Sequence, residues 1–176
     1  MLNGVLRSGG NTETLLNMLI GQNLQYCSVV RRSDQISPCL NCGGCKTTDA
    51  CTITDSMEVV YCAAETAEFV VLASPVYFGN LTGFLSDILS RFQRYCKVGS
   101  NRLPRIGQKK SGAVILTAGG LGAAEGAERS AILLMKLLNV ENPVLITSYQ
   151  TDILHAGQDE QAVKKIAALK KQWFGV

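Results

Sequence analysis

Four cysteines crowd into thirteen residues of this chain, with the spacing Cys39-x2-Cys42-x2-Cys45-x5-Cys51. Closely spaced thiolates on a glycine-containing loop suit a soft metal centre. The spacing is compatible with tetrahedral zinc and with an iron–sulfur cluster held by four thiolates. The single CxxCxxC run favours the cluster, because a structural zinc site more often separates two CxxC pairs widely. The alternative is four reduced thiols on a surface loop.

The other three cysteines, Cys27, Cys62 and Cys96, fall on strand or helix patterns and are predicted to be inert core residues. The total of seven is odd, and the chain does not begin with a basic region followed by an apolar core. We therefore expect no disulfide framework and a cytoplasmic location. No stretch has 18 uninterrupted apolar residues, so no transmembrane helix is expected.

A second candidate segment follows an apolar run at residues 69–73 that predicts a buried strand. It reads Ser74-Pro75-Val76-Tyr77-Phe78-Gly79-Asn80. In open α/β sheets, ligands bind beyond the carboxyl ends of the strands. Backbone N–H groups and an aromatic face on such a loop can contact a flat ring. The alternative is an ordinary strand-to-helix turn with Tyr77 and Phe78 packed in the core.

A third segment has the composition of an anion site, and it reads Arg7-Ser8-Gly9-Gly10-Asn11-Thr12. It precedes a helical pattern for which Asn11 or Thr12 suits the N-cap position. Free N–H groups and the helix dipole at such a place favour an anion. The segment is neither a Walker A loop nor a GxGxxG fingerprint. A capped helix after a glycine turn is the alternative.

A fourth segment, Thr117-Ala118-Gly119-Gly120, follows the predicted strand at residues 112–116. Alone it is equally compatible with a plain glycine turn. Together with the two preceding segments it completes a crevice with an anion site, an aromatic loop and a glycine-rich wall. A mononucleotide with a flat ring would use all three.

Strand and helix patterns alternate along the chain, which predicts a parallel sheet covered by helices on both faces. The strands are predicted at residues 26–30, 69–73, 112–116 and 143–147, and the helices at 11–20, 55–65, 82–94, 123–138 and 160–173. The 176 residues are 47% hydrophobic and 18% charged, so we expect one globular domain over residues 1–176, with a cysteine-rich loop at 38–54. Only Met1, Leu2 and Asn3 precede Gly4, so any first strand is expected to look truncated. The net charge of +3 without a dense basic run gives no indication of nucleic-acid binding.

Three motifs together resemble the NAD(P)H-dependent FMN reductase-like flavoproteins of the flavodoxin fold. They are Asn3-Gly4-x-x-Arg7-x-x-Gly10-Asn11-Thr12, the four-cysteine run leading to Asp55-x-Met57, and the segment from Ser74 to Asn80. Within this family the chain looks most like the iron–sulfur flavoproteins, over roughly residues 3–150.

The resemblance implies a doubly wound, five-stranded parallel sheet in the order 2-1-3-4-5 and noncovalently bound FMN. It implies that cofactor-binding residues lie in all three loops: Arg7, Ser8, Gly10, Asn11, Thr12, Pro75, Val76, Tyr77, Phe78, Gly79, Asn80, Thr117, Ala118, Gly119 and Gly120. It also implies that Cys39, Cys42, Cys45 and Cys51 hold a [4Fe-4S] cluster that exchanges electrons with FMN. No catalytic acid or base is expected, because hydride and electron transfer belong to the cofactors.

The partners expected from the resemblance are NAD(P)H or a ferredoxin-like donor, a small-molecule acceptor, and further copies of the chain in a homodimer or homotetramer. Nucleic acid and membrane are not expected partners. One alternative is a plain NAD(P)H-dependent FMN or quinone reductase with an empty cysteine loop. Another is a non-catalytic metal or redox-sensing module, which is motivated by the short first strand and by Val5, where the family usually has serine.

Overall fold

The computed structural model describes residues 1–4, 8–21, 23, 30–31, 33–96, 104–120 and 124–175. Val5 and Arg7 lie outside these ranges, as do residues 26–29 of the strand predicted at 26–30, which include Cys27. The described strands form one parallel sheet in the order β1-β2-β3-β4. They are β1 (Leu2–Asn3), β2 (Phe69–Pro75), β3 (Ser111–Thr117) and β4 (Val144–Ser148).

Helices connect the strands, as the alternating pattern predicts. The described helices are α1 (Asn11–Ile20), α2 (Cys45–Thr48), α3 (Met57–Thr66), α4 (Gly83–Arg91), α5 (Glu125–Leu137) and α6 (Glu160–Phe174). A 3₁₀ helix, Phe92–Tyr95, continues α4, and a second one, Ala156–Gln158, precedes α6. No helix in these ranges combines the length and the hydropathy needed to cross a bilayer.

The sheet confirms the predicted order for the four strands that are described. β2 and β3 pair along their whole length, from Phe69 opposite Ser111 to Pro75 opposite Thr117. β1 is as short as expected, with only Leu2 and Asn3 paired to β2. On the other side of β1, Val30 forms a parallel bridge with Leu2. Among the described residues of the strand predicted at 26–30, this bridge is the only pairing, so the expected fifth strand of the sheet stays a prediction.

The core lies on both faces of the sheet because successive strand residues point in opposite directions. Leu72 and Val114 belong to the cluster that packs with α3, α4 and α5, whereas Ala73 and Ile115 belong to the cluster with α1 and α6. Burial on both faces explains why β2 and β3 are continuous apolar runs rather than alternating ones.

The two described cysteines outside the cysteine-rich loop, Cys62 and Cys96, are not core residues. Cys62 and Cys96 are both exposed, so the prediction of two inert core thiols is wrong for them. The helical pattern of the sequence identified the elements correctly, but Cys62 lies on the solvent face of α3 and Cys96 follows the 3₁₀ helix that continues α4.

Candidate functional site

The three candidate loops leave the same edge of the sheet and are joined there by hydrogen bonds. The hydroxyl oxygens of Thr12 and Thr117 lie 2.6 Å apart and are buried. The backbone N–H of Val76 donates to the carbonyl of Thr117 at 2.8 Å. Since the carboxyl ends of parallel strands meet at one edge, these bonds bring the segment before α1 and the loops after β2 and β3 together.

The segment before α1 accommodates an anionic oxygen. Gly9 has a φ of +73°, and its N–H donates to a carboxylate oxygen of Glu13 at 2.6 Å. The N–H groups of the first turn have no carbonyl partners within the helix, and Gly10 at the N-cap offers no side chain to bond them. The backbone at this helix N-terminus therefore suits a phosphate group. Ser8 is exposed beside it.

The N-cap prediction for this helix is wrong, because the capping residue is Gly10 rather than Asn11 or Thr12. Both side chains make longer-range bonds instead. The Asn11 amide oxygen accepts from the N–H of Ala156 at 2.9 Å, and the Thr12 hydroxyl bonds that of Thr117. The polar residues that the sequence suggested as caps therefore tie α1 to two other segments of the same edge.

The loop after β2 contains a tight turn, residues 77–80, which we call the aromatic turn. Tyr77 and Asn80 exchange two backbone hydrogen bonds of 3.0 Å. Phe78 and Gly79 between them have φ values of 49° and 76°, as a type I′ turn requires. The Phe78 side chain is 102% exposed and that of Tyr77 is 49% exposed. The alternative in which both rings pack in the core is therefore wrong.

The N-terminus of α5 holds the aromatic turn in place. The N–H of Ala127 donates to the carbonyl of Gly79 at 2.7 Å. A Cβ at Gly126 would lie 2.6 Å from that same carbonyl oxygen. The close approach of helix and turn therefore requires glycine at position 126.

A segment that the sequence analysis missed, residues 148–156, forms a further wall of this edge. The N–H of Ala118 donates to the carbonyl of Ser148 at 3.1 Å, and that of Thr151 to the carbonyl of Ala118 at 2.9 Å. The Asp152 carboxylate lies where a Cβ at Gly119 would be. The sequence contains one indication of this role, which is that the segment directly follows the last predicted strand.

All four cysteines of the motif line one cavity of about 130 Å³, which we call the cysteine cavity. They are free thiols. In the part of the chain that the structure describes, no three metal-binding side chains converge on one point. Tetrahedral zinc would need its sulfurs about 3.8 Å apart, the edge set by a Zn–S bond of about 2.3 Å. In a four-iron cluster, by contrast, the thiolates surround a group of atoms, which suits ligands distributed around a cavity.

Hydrogen bonds and positive charge in the cysteine cavity suit anionic sulfur. The N–H of Asn41 donates to the sulfur of Cys39 at 3.4 Å. The pKa of Cys42 is lowered by a hydrogen bond with the Thr52 hydroxyl and by the backbone of Gly44. Three cationic side chains line the same cavity: Lys46, Arg91 and Arg94. The thiol of Cys96, which the sequence did not place there, also lines it.

The end of α4 holds the cysteine-rich loop at several points. The Ser90 hydroxyl accepts from the N–H of Cys39 at 2.9 Å. Arg91 donates from Nη1 to the carbonyl of Ser37 at 2.9 Å and to Asp55 Oδ2 at 2.7 Å, and from Nη2 to the carbonyl of Ile53 at 3.2 Å. Both ends of the loop are thus bonded to one guanidinium.

The Arg91–Asp55 pair is ionised despite its burial. Burial would raise the pKa of Asp55, but hydrogen bonds from Arg91 and from the N–H groups of Ser37 and Met57 lower it below its usual value. Burial would likewise lower the pKa of Arg91, and the bond to Asp55 raises it instead. The sequence analysis did not identify Arg91 as a site residue. Its position three residues after the apolar Ile88, on the same helix face, was a usable signal that it is buried.

Comparisons with known proteins identify the family of this chain. The family model described as NADPH-dependent FMN reductase matches residues 1–152. An iron–sulfur flavoprotein of Methanosarcina thermophila is 28% identical over 94 residues, which are 51% of this chain and 49% of that protein. One of Archaeoglobus fulgidus is 28% identical over 138 residues, 74% of this chain and 66% of that protein. The chain thus spans about half to two thirds of the length of these relatives.

Solved structures share the fold at low sequence identity. An FMN-dependent NADH-azoreductase from Bacillus anthracis, in complex with FMN, has a TM-score of 0.60 at 11% identity, covering 97% of this chain and 95% of that chain. A protein from Streptococcus mutans has a TM-score of 0.67 at 11% identity, covering 97% of both chains. The flavodoxin-like fold and the resemblance to iron–sulfur flavoproteins are therefore confirmed. The chain belongs to the NADPH-dependent FMN reductase family.

Proposed function

We propose that this chain is an FMN-dependent oxidoreductase whose cysteine-rich loop holds a [4Fe-4S] cluster that exchanges electrons with FMN. The observation that carries the FMN part is the hydroxyl bond between Thr12 and Thr117. This bond joins the glycine-rich loop to the helix N-terminus that suits a phosphate. The N–H of Val76 in turn joins the glycine-rich loop to the loop that contains the aromatic turn. A nucleotide with a phosphate at one end and a flat ring at the other fits this arrangement.

In this proposal the cofactor-binding residues act mainly through their backbone. The segment with Ser8, Gly10, Asn11 and Thr12, together with Arg7, binds the phosphate at the positive end of α1. Residues 75–80 contact one side of the isoalloxazine ring, and residues 117–120 contact the other. FMN supplies the hydride and single-electron chemistry, while the chain binds and orients it.

The cluster part of the proposal rests on the chemistry of the cysteine cavity. Cys39, Cys42, Cys45 and Cys51 are its ligands. Four thiolates around such a cluster carry net negative charge, which is costly to hold near the protein interior without compensation. Lys46, on the wall of the same cavity, supplies positive charge that offsets part of it.

The donor, acceptor and assembly belong to the same proposal. The family description supports a nicotinamide donor, and a ferredoxin-like donor is compatible with the cluster. The acceptor is a small molecule, and the chain works as a single domain in a homodimer or homotetramer. The cytoplasmic location expected from the sequence stays a prediction.

The test is the visible absorption spectrum of chain purified without oxygen, with FMN, iron and acid-labile sulfide measured on the same sample. We expect flavin bands with a broad iron–sulfur shoulder, about one FMN and about four irons per chain. The variant Cys45→Ser should lose most of the iron and keep the flavin, whereas the matched control Cys62→Ser, outside the cavity, should keep both. Flavin without iron would indicate the plain reductase, and metal without flavin would indicate the metal or redox-sensing module.

A further inference from the structure

Arg91 is the least exposed charged residue in the described part of the chain. Its side chain has no exposed surface, and its two Nη atoms are bonded to Ser37, Ile53 and Asp55. Its Nε–H, in contrast, has no acceptor among the described residues. A buried donor without an acceptor is unfavourable, and folded proteins contain few of them.

The chemistry of the neighbouring cavity supplies a candidate acceptor for this donor. Arg91 lies in the wall of the cysteine cavity, so the space beside it is lined by the four thiols of the motif. Sulfur anions are the acceptors that this cavity would contain, and a guanidinium fixed by an ion pair cannot turn away to find another partner. The Nη bonds therefore hold the loop and keep the guanidinium in one place.

We propose that Arg91 is the positioning residue of the cysteine-rich loop and that its Nε–H donates to a sulfur held in the cavity. Three bonds from its Nη atoms hold the two ends of the loop, residues 37 and 53–55. The Nε–H donor stabilises anionic sulfur. The sulfur-binding half of this inference rests on the proposed cluster, whereas the loop-holding half does not.

Arg94 provides a matched control. It lines the same cavity, but its guanidinium stacks over the rings of Tyr61, at 4.4 Å, and Tyr95, at 5.3 Å. No hydrogen bond of the described residues ties it to the loop. Arg94→Lys and Arg91→Lys both keep the charge, but only the second removes the rigid fork that reaches three acceptors.

The first measurement follows the iron-loaded protein without oxygen. In Arg91→Lys we expect iron transfer to a chelator to be about tenfold to hundredfold faster than in the wild type. We also expect the reduction potential of the cluster to fall, because a hydrogen bond to sulfur favours the reduced form. Arg94→Lys should lose iron within about twofold of the wild-type rate. Wild-type iron retention and potential in Arg91→Lys would overturn the sulfur-binding half.

The second measurement needs no cluster. Alkylation of each cysteine in the iron-free chain is followed by mass spectrometry, with Cys62 as the internal reference. We expect Arg91→Lys to speed alkylation of the four loop thiols and to leave that of Cys62 unchanged. If this variant does not fold, Asp55→Asn loosens the same anchor without removing the arginine.

The two measurements separate the inference from the proposed function. A wild-type chain that binds FMN without iron would overturn the cluster and, with it, the sulfur-binding half. Alkylation would still decide whether Arg91 holds the loop. Equal alkylation of the loop thiols in the wild type and in the folded variants would overturn that half, whatever the iron content.

Discussion

The hydroxyl oxygens of Thr12 and Thr117 are 2.6 Å apart in the protein interior, although 105 residues separate them in the sequence. Thr12 lies in the first turn of α1, and Thr117 is the last residue of β3. One hydrogen bond therefore fixes the distance between the helix N-terminus and the glycine-rich loop. In the proposed function, the phosphate of FMN lies at the helix N-terminus and one side of its ring lies against the glycine-rich loop.

Removing the Thr117 hydroxyl should weaken both folding and flavin binding. Thr117→Val keeps the shape and leaves the Thr12 hydroxyl buried without its partner, so we expect the free energy of unfolding to fall by about 1–3 kcal/mol. We also expect a higher Kd for FMN. Urea unfolding and flavin fluorescence titration measure the two. Thr66→Val is the control, since it removes a hydroxyl bond to Cys62 at the exposed end of α3; equal losses in both variants would contradict the expectation.

Alanine substitutions of two glycines at helix N-termini should change the free energy of unfolding in opposite directions. In Gly126→Ala the new Cβ would meet the Gly79 carbonyl at 2.6 Å, so we expect a loss of about 1–3 kcal/mol in the free energy of unfolding and weaker FMN binding. Gly83 begins α4 with nothing within 4 Å of its Cβ position. Gly83→Ala should therefore stabilise the chain by about 0.5 kcal/mol. Similar unfolding energies for the two variants would show that the turn does not press on α5.

We expect the aromatic turn to lower the free energy of unfolding and to strengthen ligand binding. Phe78 has a φ of 49° and a fully exposed ring, so the folded chain gains little burial for a backbone conformation that disfavours phenylalanine. Phe78→Asn should raise the free energy of unfolding by about 1 kcal/mol and weaken FMN binding. Leu40→Asn removes another exposed apolar side chain, at 69% exposure and without a positive φ, and should change neither. A destabilised Phe78→Asn would indicate that the ring packs within the folded chain.

The buried ion pair should make stability depend on pH. The pKa of Asp55 is below its usual value in the folded chain, so its ionised form contributes stability above about pH 5 and loses that contribution as the pH falls through the folded value. Asp55→Asn should cost about 2 kcal/mol at neutral pH, and the gap to the wild type should narrow below about pH 4. Urea unfolding at several pH values measures the gap. Asp49→Asn, at an exposed position, should leave the free energy of unfolding close to the wild-type value; a gap for Asp55→Asn that does not change with pH would contradict the ion pair.

The sheet was predictable from the sequence because β2 and β3 are buried on both faces and so appear as continuous apolar runs. The aromatic and glycine-rich loops were predictable because each directly follows such a run. The partners of Arg91 were not, since Asp55 is 36 residues away and local spacing does not encode which loop will dock on the end of a helix. The contacts of residues 148–156 were missed for the same reason, because they form through backbone groups that every residue carries.

The roles of Asn11 and Thr12 show the same limit. Both have the side chains of helix caps, and the sequence correctly placed a helix start beside them. Their long-range partners, Ala156 and Thr117, exist only once the edges of the sheet are assembled. Local propensity therefore predicted where the helix begins but not what these side chains bind.

The last prediction separates the structural role of Asn11 from its proposed role toward phosphate. Asn11→Asp keeps an oxygen that can accept from the N–H of Ala156, and an acid in the first turn of a helix is favoured by its dipole. We therefore expect the free energy of unfolding to be unchanged or slightly higher. The new negative charge at the phosphate position should weaken FMN binding by about tenfold to hundredfold.

Riboflavin, which has the same ring and no phosphate, should bind Asn11→Asp and the wild type with similar Kd, as fluorescence titration would report. Gln161→Glu places the same new charge in the first turn of α6, at an exposed position, and should leave both affinities unchanged. If Asn11→Asp lost riboflavin as well, the side chain would act on the shape of the site rather than on the phosphate. If it kept FMN, the phosphate would lie elsewhere, and the N-terminus of α1 would not be the anion site.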